Sequence, residues 1–462
     1  MNLNFLPRAK DAYLVGGAVR DIILGRMPDD FDIAVLNNPK EFAEKIASFQ
    51  AASAGRHKVV EIGKGDYTVF RAVLNKGFVD VAQIKGDSIK DDLGQRDFTI
   101  NAMARSLLSG DLIDPFGGLH DIENRKISMV SDKSFINDPL RMLRAFRFGA
   151  ALDFKIDAKT MAAIGEKAKL IKKSAGERVG AEFRKLFGSA ESYAFILQMA
   201  DTGLLFEILP ELEKMKGCRQ NKYHSYDVYG HTMKAFYHLE DLFNNYYKFF
   251  FELKGQADVH PDKQKRVLLK IAILLHDTGK PSASSVDKFG NIHFYGHEKK
   301  SADAAKNICS RLRLSNLEKA FIYFIIRSHI QPLNLFAGYK NKKLTERGIT
   351  RFFMKSGELT PYLIMHSMAD ARGKIKGNDN LGEEFIEFAK KLMIKFRFQF
   401  KPKKILPPLV TGRDLIDTFG LSPSPVFKTI LKLVEEARLT GGIEDKADAF
   451  ILIKKFLEKN PP

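Results

Sequence analysis

An α+β chain is predicted, with a small head of alternating strands and helices followed by a long remainder built of helices. Three observations carry this reading. Between Tyr13 and Val35 an apolar strand, a double glycine, a short helix and a second strand follow one another closely. From Asn137 onward the apolar residues recur at helical spacing, as in Leu140, Leu143 and Phe146. Apolar residues make up 45% of 462 positions, with no internal repeat or low-complexity segment, which is enough for several domains and a large core.

The first strand is Tyr13-Leu14-Val15, and Gly16-Gly17 turns it into a helix from about Ala18 to Leu24. A turn through Pro28 leads to a second strand that carries Asp30 and Asp32, with Phe31 between them facing the core. Side chains alternate along a strand, so both carboxylates point the same way and can share divalent ions. Magnesium takes oxygen ligands, and a pair of ions about 3.5–4 Å apart can activate a hydroxyl and steady a leaving pyrophosphate. Backbone N–H groups at Gly16 and Gly17 can close on phosphate at the helix start, with Arg20 one turn in. A helix at Pro39–Ser48 and β-rich segments at Lys58–Ile62, Tyr67–Leu74 and Phe78–Ile84 complete the head. Asp80, in the last of these, is either a third metal ligand or an exposed strand aspartate.

GGAVRD followed by DDFD resembles the nucleotide-binding signature of the class II tRNA nucleotidyltransferase and bacterial poly(A) polymerase family, within the polymerase β-like nucleotidyltransferases. Arg96-Asp97-Phe98-Thr99-Ile100-Asn101 extends the resemblance, with Gln95 where the family usually has a first arginine. The resemblance implies that Arg96, Asp97 and Asn101 lie near the nucleotide sugar and triphosphate. A helix from Phe98 would place Asp97 at its N-cap, with Asn101 one turn on. Asp114-Pro115-Phe116-Gly117-Gly118 reads as a structural turn.

The next helix, from Asn137-Asp138-Pro139, sets Arg141, Arg144 and Arg147 on a face beside its apolar stripe, and Asp138 before Pro139 suits an N-cap. This segment resembles the family's EDxxR element, with Asn137 in place of the glutamate. The resemblance implies that Asp138 and Arg141 read the incoming base. A carboxylate accepts from the exocyclic amine of C or A, and a guanidinium donates to a ring nitrogen of either. Arg144 and Arg147 are taken as further nucleotide contacts. Glu177-Arg178 to Glu182-Phe183 resembles the ERxxxEF element, in which Arg178 and Glu182 form an i, i+4 pair that organises the helix.

Beyond Cys218 come His231, His276-Asp277-Thr278-Gly279-Lys280, His297, His329 and Asp370 on successive apolar helices, and imidazole with carboxylate suits a transition metal or mixed-metal site. The spread resembles the HD phosphohydrolase superfamily. That resemblance implies a core set of His231, His276, Asp277 and Asp370, holding a transition metal or Mg²⁺. His297 and His329 would then hold a second ion or a phosphate, and nearby His224 is unassigned. A basic, phenylalanine-rich stretch from Lys390 to Lys404 either meets RNA or is buried structure. Val410 to Ile443 resembles the family's C-terminal element, with Ser424 where it usually has glycine.

The expected domains are a catalytic head (1–130), a helical neck carrying the base-selecting helix (131–215), an HD-type body (216–395) and a tRNA-binding tail (396–462). The net charge of +18 points to a polyanionic partner, and the resemblance makes that the acceptor arm of tRNA. No apolar run reaches the roughly 18 residues of a membrane span, and Met1 to Lys10 lacks a signal-peptide core, so the expected location is cytoplasmic. Cys218 and Cys309 are read as reduced thiols. The expected activity is template-independent addition of C and A from CTP and ATP to the tRNA 3′ end, with two Mg²⁺ at Asp30 and Asp32. The short interval from Asn75 to Asp87, together with Asn137, leaves CC-only or A-only addition open, with a second nucleotidyltransferase as partner. Poly(A) polymerase, an HD phosphohydrolase or phosphodiesterase, and a non-catalytic tRNA-binding module are the rivals.

Overall fold

The computed structural model describes residues 5–49, 58–63, 65, 68–74, 77–220, 225–255, 261–374 and 380–460. His224 and the start of the Asn75–Asp87 interval lie outside them. The chain divides into two compact units, Met1–Pro210 and Glu211–Pro462.

In the first unit a seven-stranded sheet is built from β1 (Ala12–Val15), β2 (Phe31–Val35), β3 (Lys58–Ile62), β4 (Val69–Val73), β5 (Phe78–Gln83), β6 (Ala104–Ser106) and β7 (Leu112–Ile113). Their spatial order is β3-β4-β5-β2-β1-β6-β7. All neighbours pair antiparallel except β2 and β5, which run parallel and bring Asp32 opposite Asp80. Parallel pairing needs a long crossover, and the helix Pro39–Phe49 with β3 and β4 supplies it. Ile33, Ala34 and Val35 are buried at the sheet centre, while Asp30 and Asp32 stay exposed at the start of β2.

Two local expectations change in the same unit. The segment after Asp97 forms a single 3-10 turn, Thr99–Asn101, instead of an α-helix. A break also precedes the helix that carries Arg141, Arg144 and Arg147. A short helix, Ser134–Asn137, ends at Asp138, whose backbone is extended (φ −143°, ψ 97°), and Leu140–Leu152 starts afresh. Pro139 dictates this, because the residue before a proline is pushed out of the helical region. Asp138 still caps the new helix, accepting from the Leu140 N–H at 3.2 Å.

Helices make up most of the second unit. Within it, three helices of the tail, Gly412–Phe419, Pro425–Thr440 and Lys446–Lys459, close over a core of their own that includes Leu415, Ile430 and Ile453. The basic, phenylalanine-rich stretch is divided, with Phe396 and Phe400 turned inward while Phe398, Lys391, Lys403 and Lys404 stay exposed. Phe396 and Phe400 are buried and both meet Phe353, at 5.3 and 5.2 Å between ring centroids. Residues Phe396–Phe400 form a π-helical turn. Pro402 has no N–H to return to the Phe398 carbonyl, and the wider turn absorbs that loss.

Candidate active site

The head site begins where β1 turns into the helix Gly17–Ile23. Gly16 has φ +73°, and a Cβ there would sit 2.6 Å from Arg96 Nη1 and 3.9 Å from Asp32 Oδ2. The backbone angle favours glycine, and any side chain here would also have to push aside the Arg96 guanidinium that closes over it. Arg20, nearly buried, donates to both Asp21 oxygens at 2.9 Å and to Asn101 Oδ1 at 2.7 Å. Asn101 in turn donates to Asp97 Oδ1 at 3.0 Å, which also takes the Phe98 N–H at 2.8 Å. Arg144 closes the chain, with Nε 2.8 Å and Nη2 2.7 Å from Asp97 Oδ2. Burial alone would push the Asp97 carboxyl up, but Arg144, Asn101 and the Phe98 N–H together hold it below the usual carboxylate range.

Asp32 behaves oppositely. Its side chain reaches solvent, but the protein atoms crowded around the strand end desolvate the carboxyl and raise its pKa, and Asp80 and Asp30 add to the rise while Arg96 opposes it. A carboxylate crowded by two others is stabilised by a cation, and oxygen-only donors at a solvent-facing strand end suit a hard divalent ion. Asp80 is half-buried and already engaged, with Arg71 donating to both of its oxygens at 2.7 Å while stacking 3.7 Å over the Phe78 ring.

Two open clefts meet at Asp32, Arg96 and Arg141. One, of about 390 Å³, brings together Gly16, Gly17, Arg20, Asp97, Asn101, Asp138 and Arg144 with those three. The other, of about 330 Å³, runs past Asp80, Lys85 and Gln95. Arg147 lines neither cleft. Three-residue steps drift by about 60° per step on a helix of 3.6 residues per turn, so Arg147 stands roughly 120° from Arg141. Its guanidinium pairs instead with buried Glu182 at 2.7 Å and stacks 3.6 Å over Phe148. Phe148, which the motif pattern does not single out, forms part of the first cleft.

The expected Arg178–Glu182 pair does not form as such. Both side chains reach to the neighbouring helix, Glu182 to Arg147 and Arg178 to Asp138 at 2.8 and 3.3 Å. Arg141 in turn donates to the Gln95 carbonyl at 2.7 Å, the Arg96 carbonyl at 3.2 Å and Ser134 Oγ at 3.0 Å. Asp138 is thus aimed by Arg178, while Arg141 ties the neck helix to the Gln95-Arg96 backbone.

In the second unit His231, His276, Asp277, His329 and Asp370 are all buried and converge. His231 Nε2 is 2.9 Å from Asp370 Oδ1, and His276 Nε2 is 3.1 Å from Asp277 Oδ2. His297 Nε2 lies 3.4 Å from His329 Nε2 and 3.6 Å from Asp277 Oδ1. Nδ1 of His276, His297 and His329 sits 2.7–2.8 Å from the carbonyl three residues earlier. A carbonyl only accepts, so each Nδ1 carries a proton and each Nε2 is the ring nitrogen turned inward, where a metal would displace any proton it holds. His276 Nε2 is buried and faces the carboxylates of Asp277 and Asp370, at 3.1 and 3.4 Å, an arrangement that suits a shared metal ion. Burial pushes the His329 imidazole down to about 3, with His276 and His297 adding to the fall. His276 moves up to about 9, because Asp277 and Asp370 more than offset burial. Two neighbours escaped the sequence reading. His366, one turn before Asp370, is buried 5.2 Å from the His276 ring, and Lys280 Nζ sits 2.7 Å from Asp277 Oδ2. The i, i+4 spacing of His366 and Asp370 was the available signal.

Comparison with known proteins agrees in order along the chain. The Poly A polymerase head domain matches residues 12–128, the probable RNA and SrmB-binding site of polymerase A matches 153–216, and the HD domain matches 228–352. An A-adding tRNA nucleotidyltransferase of Deinococcus radiodurans is 30% identical, covering 98% of each chain. A CC-adding tRNA nucleotidyltransferase of Thermus thermophilus is 28% identical over 96% of this chain and 93% of its own. The fold is similar to that of the Thermotoga maritima CCA-adding enzyme complexed with tRNA, with a TM-score of 0.65 at 22% identity, covering 96% of this chain and 91% of that one. Among the described residues no helix is long and apolar enough to cross a membrane. With a relative of 30% identity along nearly its whole length, the chain belongs to the HD-containing bacterial type of the class II tRNA nucleotidyltransferase and poly(A) polymerase family.

Proposed function

We propose that the chain is a template-independent RNA nucleotidyltransferase that adds C and A from CTP and ATP to the 3′ end of tRNA and releases pyrophosphate. The meeting of two clefts at Asp32 supports this most directly, since such a junction can bring a nucleotide and an RNA terminus to one carboxylate. The cleft with Gly16, Gly17, Arg20 and Arg96 takes the triphosphate. Asp97 and Asn101 hold Arg20 and Arg144 in place around it. Asp138, aimed by Arg178, accepts from the exocyclic amine of C or A, and Arg141 completes base selection. Asp30 and Asp32 are the ligands for Mg²⁺, which when bound lowers the pKa of the terminal hydroxyl and neutralises the leaving pyrophosphate. The division of labour follows the head (1–130), neck (131–215), HD body (216–395) and tail (396–462), with the basic surface gripping the acceptor arm through its phosphates.

The test uses three tRNA transcripts, ending before the first C, after one C and after both, with CTP, ATP or both. Completion of CCA on all three is expected, and extension of none of them refutes the proposal. One observation favours a second reading. Relatives that match nearly the whole chain include one A-adding and two CC-adding enzymes, so extension that stops at CC, or occurs only on the CC-ended transcript, marks a partial enzyme with a second nucleotidyltransferase as partner.

The buried histidine and aspartate cluster supports a further activity, metal-dependent hydrolysis of a phosphate ester. His231, His276, Asp277 and Asp370 are its core ligands, and His297 and His329 serve a second ion or the phosphate.

A further inference from the structure

Between His276-Asp277 and His297 the chain makes a small hairpin, Ser285 and Val286 pairing with His293 and Ile292. Asp287 organises its turn. Its carboxylate accepts from the N–H groups of Phe289 and Asn291 at 2.8 and 2.9 Å and from Asn291 Nδ2 at 3.0 Å, and lies 3.0 Å from His293 Nε2. The His293 ring is thereby fixed, and Tyr295 stacks flat against it, with centroids 5.1 Å apart and planes 9° apart. Although so firmly placed, Tyr295 is 77% exposed.

This stack stands at a cavity of about 240 Å³ that reaches the buried cluster at Asp277, His329 and Asp370. Two ammonium groups line it. Lys280 Nζ is 2.7 Å from Asp277 Oδ2, and Lys374 Nζ is 3.2 Å from Asp370 Oδ2. Cations and imidazoles in the cavity suit a phosphate group. The volume falls below the roughly 300 Å³ at which pockets enclose a whole small molecule, so a larger ligand must leave part of itself outside, where the aromatic stack stands.

We propose that this hairpin is a nucleobase platform: the cavity takes a nucleoside phosphate ester, with its phosphate beside Lys280 and Lys374 and its base stacked on Tyr295, which His293 backs. The proposal rests on the phosphate-ester reading of the buried cluster and specifies its ligand. Inorganic phosphate or a sugar phosphate would leave the platform unused, whereas every base has a π-face to stack. The ester can be a free nucleotide or the phosphorylated end of an RNA, since both present the same group.

The chain contains no tryptophan, so Tyr295→Trp in the full-length protein places a single indole on the platform. AMP, ribose 5-phosphate and a 3′-phosphorylated oligoribonucleotide are titrated separately while its emission is read. Saturable quenching by AMP, by the oligoribonucleotide or by both is expected, with none by ribose 5-phosphate, and the more effective of the two identifies the source. Adding Lys374→Gln should weaken that binding about tenfold. In the native background Tyr295→Ala, at an exposed position that leaves the fold intact, should weaken AMP binding measured by calorimetry about tenfold. Emission unmoved by either base-bearing ligand, or quenched equally by ribose 5-phosphate, overturns the platform. Equilibrium dialysis with Mn²⁺ tests the underlying reading separately. Metal bound by wild type and lost in His276→Ala, together with an unmoved indole, overturns the platform alone. No metal bound, together with quenching by AMP, overturns the metal reading and supports the platform.

Discussion

Arg178 donates both terminal guanidinium nitrogens to the Asp138 carboxylate, at 2.8 and 3.3 Å, across 40 residues of sequence. The pair is partly exposed, so its worth to stability is small, about 0–1 kcal/mol. In the proposed base-reading role its effect is on direction, because Arg178 engages both oxygens and sets which of their lone pairs remain for a base. Arg178→Ala is expected to keep the melting temperature within a few degrees while lowering the preference for CTP and ATP over UTP and GTP at least tenfold, read as ratios of kcat/KM. Unchanged ratios would remove Arg178 from base selection.

Asp97→Ala is expected to be more damaging to the fold. The side chain is buried, and its loss leaves the Asn101 and Phe98 donors unpaired, but Arg144 keeps about a third of its side chain in solvent, so the cost is about 1–3 kcal/mol. Urea denaturation of the variant measures this, and a loss below 1 kcal/mol contradicts the pairing.

The same carboxyl predicts a pH dependence. Its folded pKa lies below its unfolded value, so the unfolded chain binds more protons as pH falls. The stabilisation is fully present above the unfolded pKa, near 4, and is lost as pH falls from there through the folded pKa. Denaturation midpoints between pH 5 and 2 should therefore fall less steeply in Asp97→Asn than in wild type. Equal slopes refute the assignment.

At Gly16 a methyl group would meet Arg96 Nη1 at 2.6 Å and force a left-handed backbone on alanine. Gly16→Ala should destabilise by about 1–2 kcal/mol and lower kcat/KM for nucleotide addition at least a hundredfold by moving Arg96. Retained activity would show that Arg96 has room to move aside.

Asp30→Ala with Asp32→Ala should abolish transfer of labelled CMP without unfolding the protein. Both side chains are exposed at the strand start, and removing Asp32 relieves carboxylate crowding, so circular dichroism and the melting temperature should hold or rise slightly. Residual transfer at even a hundredth of the wild-type rate would place the metal ligands elsewhere.

What the sequence reveals here is what repeats locally. Alternation along a strand puts Asp30 and Asp32 on one side, and the glycine pair before Arg20 announces a turn into a helix. Pairing across distant segments leaves no such trace. The i, i+4 rule offers Glu182 to Arg178, yet two adjacent helices exchange these charges, sending Arg178 to Asp138 and Glu182 to Arg147. Arg147 looks equivalent to Arg141 by spacing, and only helical drift separates them. The helix expected at Phe98 fails for a related reason, since the Asp97 carboxylate is committed to Asn101 and Arg144, and a 3-10 turn suffices to bring Asn101 round. His366 went unseen because histidine on an apolar helix face is usually only packing.

The order in which ribosomes make this chain gives the assembly of the head a timetable. Asp32 is synthesised early, but its parallel neighbour β5 ends at Gln83, the network behind Arg20 closes only at Arg144, and Asp138 is aimed only by Arg178. At translation rates of roughly 5–20 residues per second, on the order of ten to thirty-five seconds pass before all parts exist. Until then the nascent chain carries its acidic strand without Arg144 and Arg178, the last two members of the charge network behind it. If the proposed roles of these residues hold, a chain terminated upstream of Arg178 is expected to add no nucleotide, which a truncation series assayed with CTP and ATP would check.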